Sequence, residues 1–351
     1  MKETPQQNIL ELSVPNWQAW LVGRGEKAFR AAQILKWIYT ERVLEPQLMT
    51  NLSLGLRETL REVFELAPLE LTEVRGSKED PGTEKLLFRT NDKHHIEAVL
   101  LPNSKGKQTL CLSSQVGCPM GCAFCATGAM GFIRNLSLPE ILFQVFWALK
   151  NRDISNLVFM GMGEPLLHPR LEEVLSRLID PEYFNLSARG ITVSTVGIAE
   201  GIKRLIPFKQ VKLAWSLHST QEERRKKLFP VLAGKYSYKQ IVEELIRFQD
   251  ATKKRITIEY LVMRGVNDDE VEWKGLLELS RKLYFHVNLI AYNPHPFSPY
   301  QAPAPNALYA IQEKLSAQGL EVTVRKSLGR DIEGACGQLA GKRGDLKISG
   351  L

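Results

Sequence analysis

The sequence predicts an α/β protein: an open, partial TIM-like barrel of six β/α units, with a small helical accessory domain in front of it. Two observations carry that prediction. Six short β-rich runs recur between residues 108 and 293, with helical runs between them. Strands alternating with helices imply parallel β/α units, and six units fall short of the eight in a closed barrel. Before residue 90 the pattern is instead one of apolar residues at helical spacing.

Along the chain, "EKAFRAAQILKWIY" places Ala31, Ile34, Leu35 and Ile38 on one helical face. "LGLRETLREVF" does the same with Leu56, Leu60, Val63 and Phe64. The opposite faces carry Lys27, Arg30, Lys36, Arg57 and Arg61, a solvated face or a surface for a polyanion. "GSKEDPGTEK", residues 76–85, is polar with Gly and Pro and marks a turn or linker. The strand runs are "QTLCLS" (108–113), "NLVFMG" (156–161), "GITVST" (190–195), "VKLAWSLH" (211–218), "ITIEYLVM" (256–263) and "HVNLIAYN" (286–293). "LPEILFQVFWALK" (138–150) and "YKQIVEELIRFQ" (238–249) are amphipathic helices, the first opened by a capping-box pair, Ser137 and Glu140. A Pro-rich loop, a helix near 305–318, a strand near 320–325 and a Gly-rich tail follow. The domain expectation is therefore 1–90 helical accessory, 91–330 barrel core and 331–351 a flexible C-terminal segment. In such folds the chemistry sits on loops at the C-terminal ends of the strands.

Apolar residues make up 44% and charged residues 24%, which suits a globular protein with a full core. "MKETPQQNILELS" lacks the apolar stretch of a signal peptide, and no run approaches the roughly 18 apolar residues of a membrane span. A cytoplasmic enzyme without a membrane partner is the expectation, and a monomer. The net charge of +7 favours a polyanionic partner. Five cysteines, an odd count, exclude a fully paired disulfide framework. Clustered cysteines in a reducing compartment bind metal or do chemistry.

Four of the five lie in "CLSSQVGCPMGCAFCATGAMGFIRN" (111–135). Cys118, Cys122 and Cys125 are spaced C-x3-C-x2-C, with Gly117 and Gly121 letting the backbone turn around a bulky centre. Three thiolates can hold three irons of a 4Fe–4S cube and leave the fourth iron open. A zinc site would complete four ligands, with Cys111 or a histidine as the fourth. The spacing favours the cluster, and with Phe124 directly before the last cysteine it resembles the signature of radical-SAM enzymes. There the open iron takes the amino and carboxylate groups of S-adenosylmethionine. "FMGMGEPLLH" (159–168) runs from a strand into two glycines and a carboxylate, suited to receive the amino group.

Taken together, "CLSSQVGCPMGCAFCATGAMGF", "GMGEPLL", "ITVSTVGI", "WSLH", "YNP" and "GACGQLAG" resemble the RlmN/Cfr family of radical-SAM adenine methyltransferases of 23S ribosomal RNA. The resemblance extends to the N-terminal "GEKAFRAAQILKWIY" and spans nearly the whole chain. "GMGEPLL" and "SSQVGC" are similar to the branch that methylates C2 of adenine rather than the C8 branch; His168 stands where Asn often occurs. The resemblance implies Cys118, Cys122 and Cys125 as ligands of one 4Fe–4S cluster per chain. It implies Gly163, Glu164, Ser194, Ser216, Leu217, His218 and Asn293 as contacts of S-adenosylmethionine, two molecules of which serve each transfer.

It also gives the two remaining thiols roles. Cys336 would accept a methyl group and carry it as the radical that adds to C2 of the adenine. Glu97 would take the C2 proton. Cys111 would then attack the sulfur of Cys336, forming a disulfide and releasing the methylated base. The implied substrate is adenosine 2503 of 23S rRNA, in the peptidyl-transferase centre, with adenosine 37 of tRNA a second substrate in some relatives. A cellular one-electron reductant is a further implied partner. Phosphate contacts are expected from "EERRKK" (222–227), "KKR" (253–255), Arg134 and the N-terminal helices. Non-catalytic alternatives reduce to a zinc-stabilised RNA-binding module.

Overall fold

The structure, a computed structural model, describes residues 7–340. Three helices come first: α1 (Val14–Val22), α2 (Arg30–Leu35) and α3 (Leu54–Val63). Ser13 and Ser53 cap α1 and α3 by accepting from Asn16 N–H and Leu56 N–H. Ala31, Ile34, Leu35, Ile38, Leu56 and Leu60 are buried as their spacing predicts. This unit docks through Tyr39, whose ring meets those of Tyr183 and Phe184, and through Arg177, which donates to the carbonyls of Leu12 and Glu11.

Ten strands then form one sheet. They are β1 (Leu69–Gly76), β2 (Glu84–Thr90), β3 (His95–Pro102), β4 (Gln108–Cys111), β5 (Ile154–Phe159), β6 (Ile191–Thr195), β7 (Lys212–Ser216), β8 (Ile256–Val262), β9 (Phe285–Ala291) and β10 (Val322–Arg325). Each strand pairs with its neighbour in sequence, so the sheet runs from β1 to β10 without a crossover. β4 to β10 are parallel; β1 to β4 pair antiparallel. The parallel strands are joined over helices α4 (Leu138–Asn151), α5 (Leu171–Ile179), α6 (Ala199–Arg204), α7 (Tyr238–Thr252), α8 (Glu270–Ser280) and α9 (Ala307–Ser316). The capping boxes at Ser137/Glu140 and Ser237/Gln240 are both formed. β1 and β10 do not pair, so the barrel is open, as expected.

One expectation needs correction. The helical reading of the first 90 residues ends at Val63; β1 and β2 follow, and residues 77–83 are the turn between them. A division at residue 90 would cut this sheet, which is continuous from Leu69 onward. The six expected β/α units run from β4 to α9, and β10 adds a further parallel strand to β9, in register from Val287↔Val322 to Ile290↔Arg325.

The C-terminal segment is the other departure. Residues 331–340, the described part of the segment expected to be flexible, are tied with the preceding Gly329 to several elements. Asp80 accepts from Gly329 N–H at 2.9 Å and Lys326 Nζ at 2.7 Å. Asp331 accepts from Ser77 Oγ at 2.6 Å and Lys78 N–H at 2.8 Å. Ala126 N–H donates to Gly337 O at 2.8 Å, and Ala340 N–H donates to Glu97 Oε2 at 2.9 Å. Residues 341–351 of the predicted flexible segment lie outside the described residues.

Candidate active site

The cysteine loop leaves β4 and makes a small hairpin, Gln115–Gly117 with Phe132–Asn135. Gly117 has φ +73, and a Cβ there would stand 2.0 Å from Gly131 O, so no other residue closes this hairpin. Gly131 O in turn accepts from Cys118 N–H at 2.8 Å. Cys118, Cys122 and Cys125 line one cavity, with Phe124, Gly163, Glu164, Ser194, Ser216 and His218 around it. Burial pushes all three thiols up, so each disfavours the thiolate until a cationic centre is present. Among the described residues no three Cys, His, Asp or Glu side chains converge on a single metal ion. A 4Fe–4S cube spreads three thiolates over three irons. Three thiols lining one shared cavity fit the cluster.

Opposite them, Gly163 has φ +105, and a Cβ there would lie 2.7 Å from the Gln115 side chain. Glu164 is buried; its Oε1 accepts from Leu166 N–H at 3.1 Å and its Oε2 from Val196 N–H at 3.0 Å. Burial raises its carboxyl to about 7, against the pull of those N–H groups. An ammonium group arriving beside it would restore the charge. Ser194 and Ser216, on adjacent strands, have hydroxyls 3.3 Å apart. His218 accepts at Nδ1 from Leu261 N–H at 3.0 Å. Its ring lies edge-on to Phe124 and stacks on Phe229, and burial lowers its pKa to about 3. It is a neutral donor through Nε2.

Two expected cofactor contacts do not line this cavity. Leu217 is fully buried, and its carbonyl accepts from Arg225. Asn293 donates to Cys336 O at 3.2 Å and accepts from Arg330 Nε at 2.9 Å. Its amide is committed to the C-terminal segment.

The second cavity is lined by Cys111, Cys336, Val99, Met160, Ile290 and Arg325, among others. Cys336, Met160 and Ile290 line both cavities. Cys336 thus stands at the junction, with the three-cysteine wall on one side and Cys111 on the other. All five cysteines are free thiols. Cys111 is buried and pushed up to about 12 by burial, with the Cys336 sulfur adding and Arg325 opposing. Glu97 lines neither cavity. It is buried on β3, 3.2 Å from Lys85 Nζ, and holds Ala340 N–H.

The comparisons with known proteins fall on this geometry. Residues 112–273 match the Radical SAM superfamily, and residues 7–66 match the Ribosomal RNA large subunit methyltransferase N-terminal domain. Relatives named dual-specificity RNA methyltransferase RlmN, with or without "probable", are similar over nearly full length. One from Lachnospira eligens is 40% identical over 95% of this chain and 96% of its own. One from Thermotoga neapolitana is 41% identical over 96% and 98%, and one from Geotalea uraniireducens 38% over 95% and 97%. The chain belongs to the RlmN family. A radical SAM methyltransferase from Sphaerobacter thermophilus has the same fold, with a TM-score of 0.90 at 38% identity, covering 96% of this chain and all of that one.

Sequence reasoning missed Glu259 and Arg325. Glu259 is the lone acid in the apolar run "ITIEYLVM", and Arg325 closes a strand outside the predicted barrel. The expected phosphate-binding cations are mostly engaged. Arg134 is held by Asp92 and Glu140, Arg224 by Asp269 and Glu272, and Arg255 by Glu321. Arg225 is buried.

Proposed function

We propose that this chain is a radical-SAM RNA methyltransferase making 2-methyladenosine at adenosine 2503 of 23S rRNA, and at adenosine 37 of tRNA. The observation that carries the reading is Cys336 at the junction of the two cavities, between the three-cysteine wall and Cys111. Cys118, Cys122 and Cys125 would hold the 4Fe–4S cluster. Gly163, Glu164, Ser194, Ser216 and His218 would hold S-adenosylmethionine, with Glu164 on the ammonium. The bound cluster and cofactor supply a methyl group in one step and a 5′-deoxyadenosyl radical in the next.

The chain's own residues do the rest. Cys336 accepts the methyl group on sulfur, because thiolates are good nucleophiles. The same sulfur presents the methylene radical to C2 of the adenine, a carbon too electron-poor for polar methylation. Glu97 is the candidate base for the C2 proton, reached once its bonds to Lys85 and Ala340 open. Cys111 attacks Cys336 Sγ; the S–S bond forms and the S–C bond breaks. The released carbon takes a proton to become the methyl, one electron passes to a one-electron acceptor, and thiol reduction resets the pair.

The test is nuclease digestion and mass spectrometry of ribosomal and transfer RNA from a deletion strain. Loss of 2-methyladenosine, restored by the wild-type chain and not by C336A, is expected. Loss of 8-methyladenosine instead would move the chain to the C8 reaction. Full modification in the deletion strain would refute both.

A further inference from the structure

Glu259, Asn288 and Thr323 are register partners across β8, β9 and β10. Asn288 Nδ2 donates to Glu259 Oε1 at 3.0 Å, and Thr323 Oγ1 donates to Asn288 Oδ1 at 2.5 Å. The other carboxylate oxygen, Glu259 Oε2, is buried and accepts no hydrogen bond. Glu259 lines the cavity of the three cysteines. Its counter-charge is Arg325, whose Nη1 lies 3.8 Å away, with side-chain exposures of 6% for Glu259 and 32% for Arg325.

A purely structural ion pair would close to hydrogen-bond distance, since an unpaired buried oxygen is costly. This pair stays open. Among the described residues the Arg325 guanidinium has no oxygen acceptor in reach; its Nη1 faces the Met160 sulfur at 3.9 Å. It lies instead in the cavity of Cys111 and Cys336. The charged and titratable groups there are Arg325, Lys326 and the two thiols. The Lys85–Glu97 pair on β2 and β3 is balanced within itself. The direction of the mutual effect fits: the thiol of Cys336, then Glu259 and Cys111, hold Arg325 in its charged form.

We propose that Arg325 is the electrostatic positioning residue of the thiol relay. Glu259 tethers it without neutralising it by contact, and its free guanidinium lowers the cost of forming the Cys111 thiolate that attacks Cys336, against the burial that disfavours that thiolate. The inference rests on the carrier and resolver roles given above. In the step concerned, Cys111 Sγ loses its proton and bonds to Cys336 Sγ. The Cys336 S–C bond breaks with its electron pair on carbon, which is then protonated, and the odd electron left from radical addition goes to the one-electron acceptor.

The test uses reconstituted full-length enzyme, a 23S rRNA fragment and acid quench, following the covalent protein–RNA adduct on denaturing gels against pH. R325M is expected to accumulate adduct and to resolve it about tenfold more slowly at neutral pH, as for a thiol raised by about one unit. Resolution should recover towards wild type as pH is raised. R325K should restore most of the rate. E259Q keeps an acceptor but removes the opposing charge, so its profile should move to lower pH. Should R325M fail to fold, E259Q still carries the test through its shift to lower pH, with R325K as the charge-preserving control near wild type. Wild-type resolution and an unshifted profile in R325M and E259Q, with C111A still trapping adduct, would overturn the role of Arg325. No adduct in C111A would instead overturn the resolver reading beneath it.

Discussion

Replacing Glu164 by Gln in the cluster-free protein should leave a specific mark on stability against pH. The carboxyl is raised from 4.5 to about 7 by burial. Raised above its unfolded value, it stabilises the fold fully below about pH 4.5, and that contribution is lost as pH rises to 7. The shift corresponds to roughly 3 kcal/mol at about 1.4 kcal/mol per unit. Gln adds a second term. It can accept from only one of Leu166 N–H and Val196 N–H, and its own amide opposes the other, at about 1–3 kcal/mol. That second term does not depend on pH. Urea unfolding of both proteins at half-unit intervals should therefore give a wild-type-minus-variant curve that falls by about 3 kcal/mol between pH 4.5 and 7. Outside that window it should be flat. A flat curve throughout, or one rising with pH, would refute the assignment of a neutral buried carboxyl. In reconstituted wild-type enzyme, affinity for S-adenosylmethionine should weaken about tenfold per unit below pH 7, because the bound ammonium requires the ionised form.

Asp80→Ala removes the charged acceptor of Gly329 N–H, while the Lys326 pair, 75% exposed on the lysine side, adds little. About 2 kcal/mol of lost docking should speed amide exchange over residues 329–340 roughly 30-fold, read by mass spectrometry, and unchanged exchange would argue against the tether. Gly117→Ala drives a Cβ into Gly131 O, so reconstitution should yield far fewer than four irons per chain with circular dichroism preserved. Lys85→Met strands Glu97 without its cation, and thermal unfolding should show a loss of about 3–5 kcal/mol.

Much of this was legible in the sequence, and the reasons are physical. The strand run at 256–262 is mostly apolar because parallel strands are covered on both faces, and the run at 191–195 is mostly β-branched, so both stand out from their helices. β1, "LELTEVRG", alternates towards solvent and carries charges, which hid it among helical neighbours. β10 has only four residues, too few to declare a barrel member. The three cysteines that line the cavity were legible because their spacing is local. Asn293 was placed on the cofactor because the motif marks a strand end, yet its amide serves the backbone of Cys336, a partner 43 residues away that no local pattern encodes. The relation of Glu259 to Arg325 is likewise a matter of register across three strands.

The order of the sheet has one more consequence. Strand follows strand from β1 to β10, so the barrel can be laid down in the order of synthesis, each strand finding its template already in place. The segment after β10 reverses that order, returning to residues made long before: Ser77, Asp80, Glu97 and Ala126. Cys336 can thus take its place only on a barrel that is otherwise finished. A nascent or truncated chain could assemble the loop of Cys118, Cys122 and Cys125 without Cys336, so the thiol at the junction of the two cavities is the last to be placed.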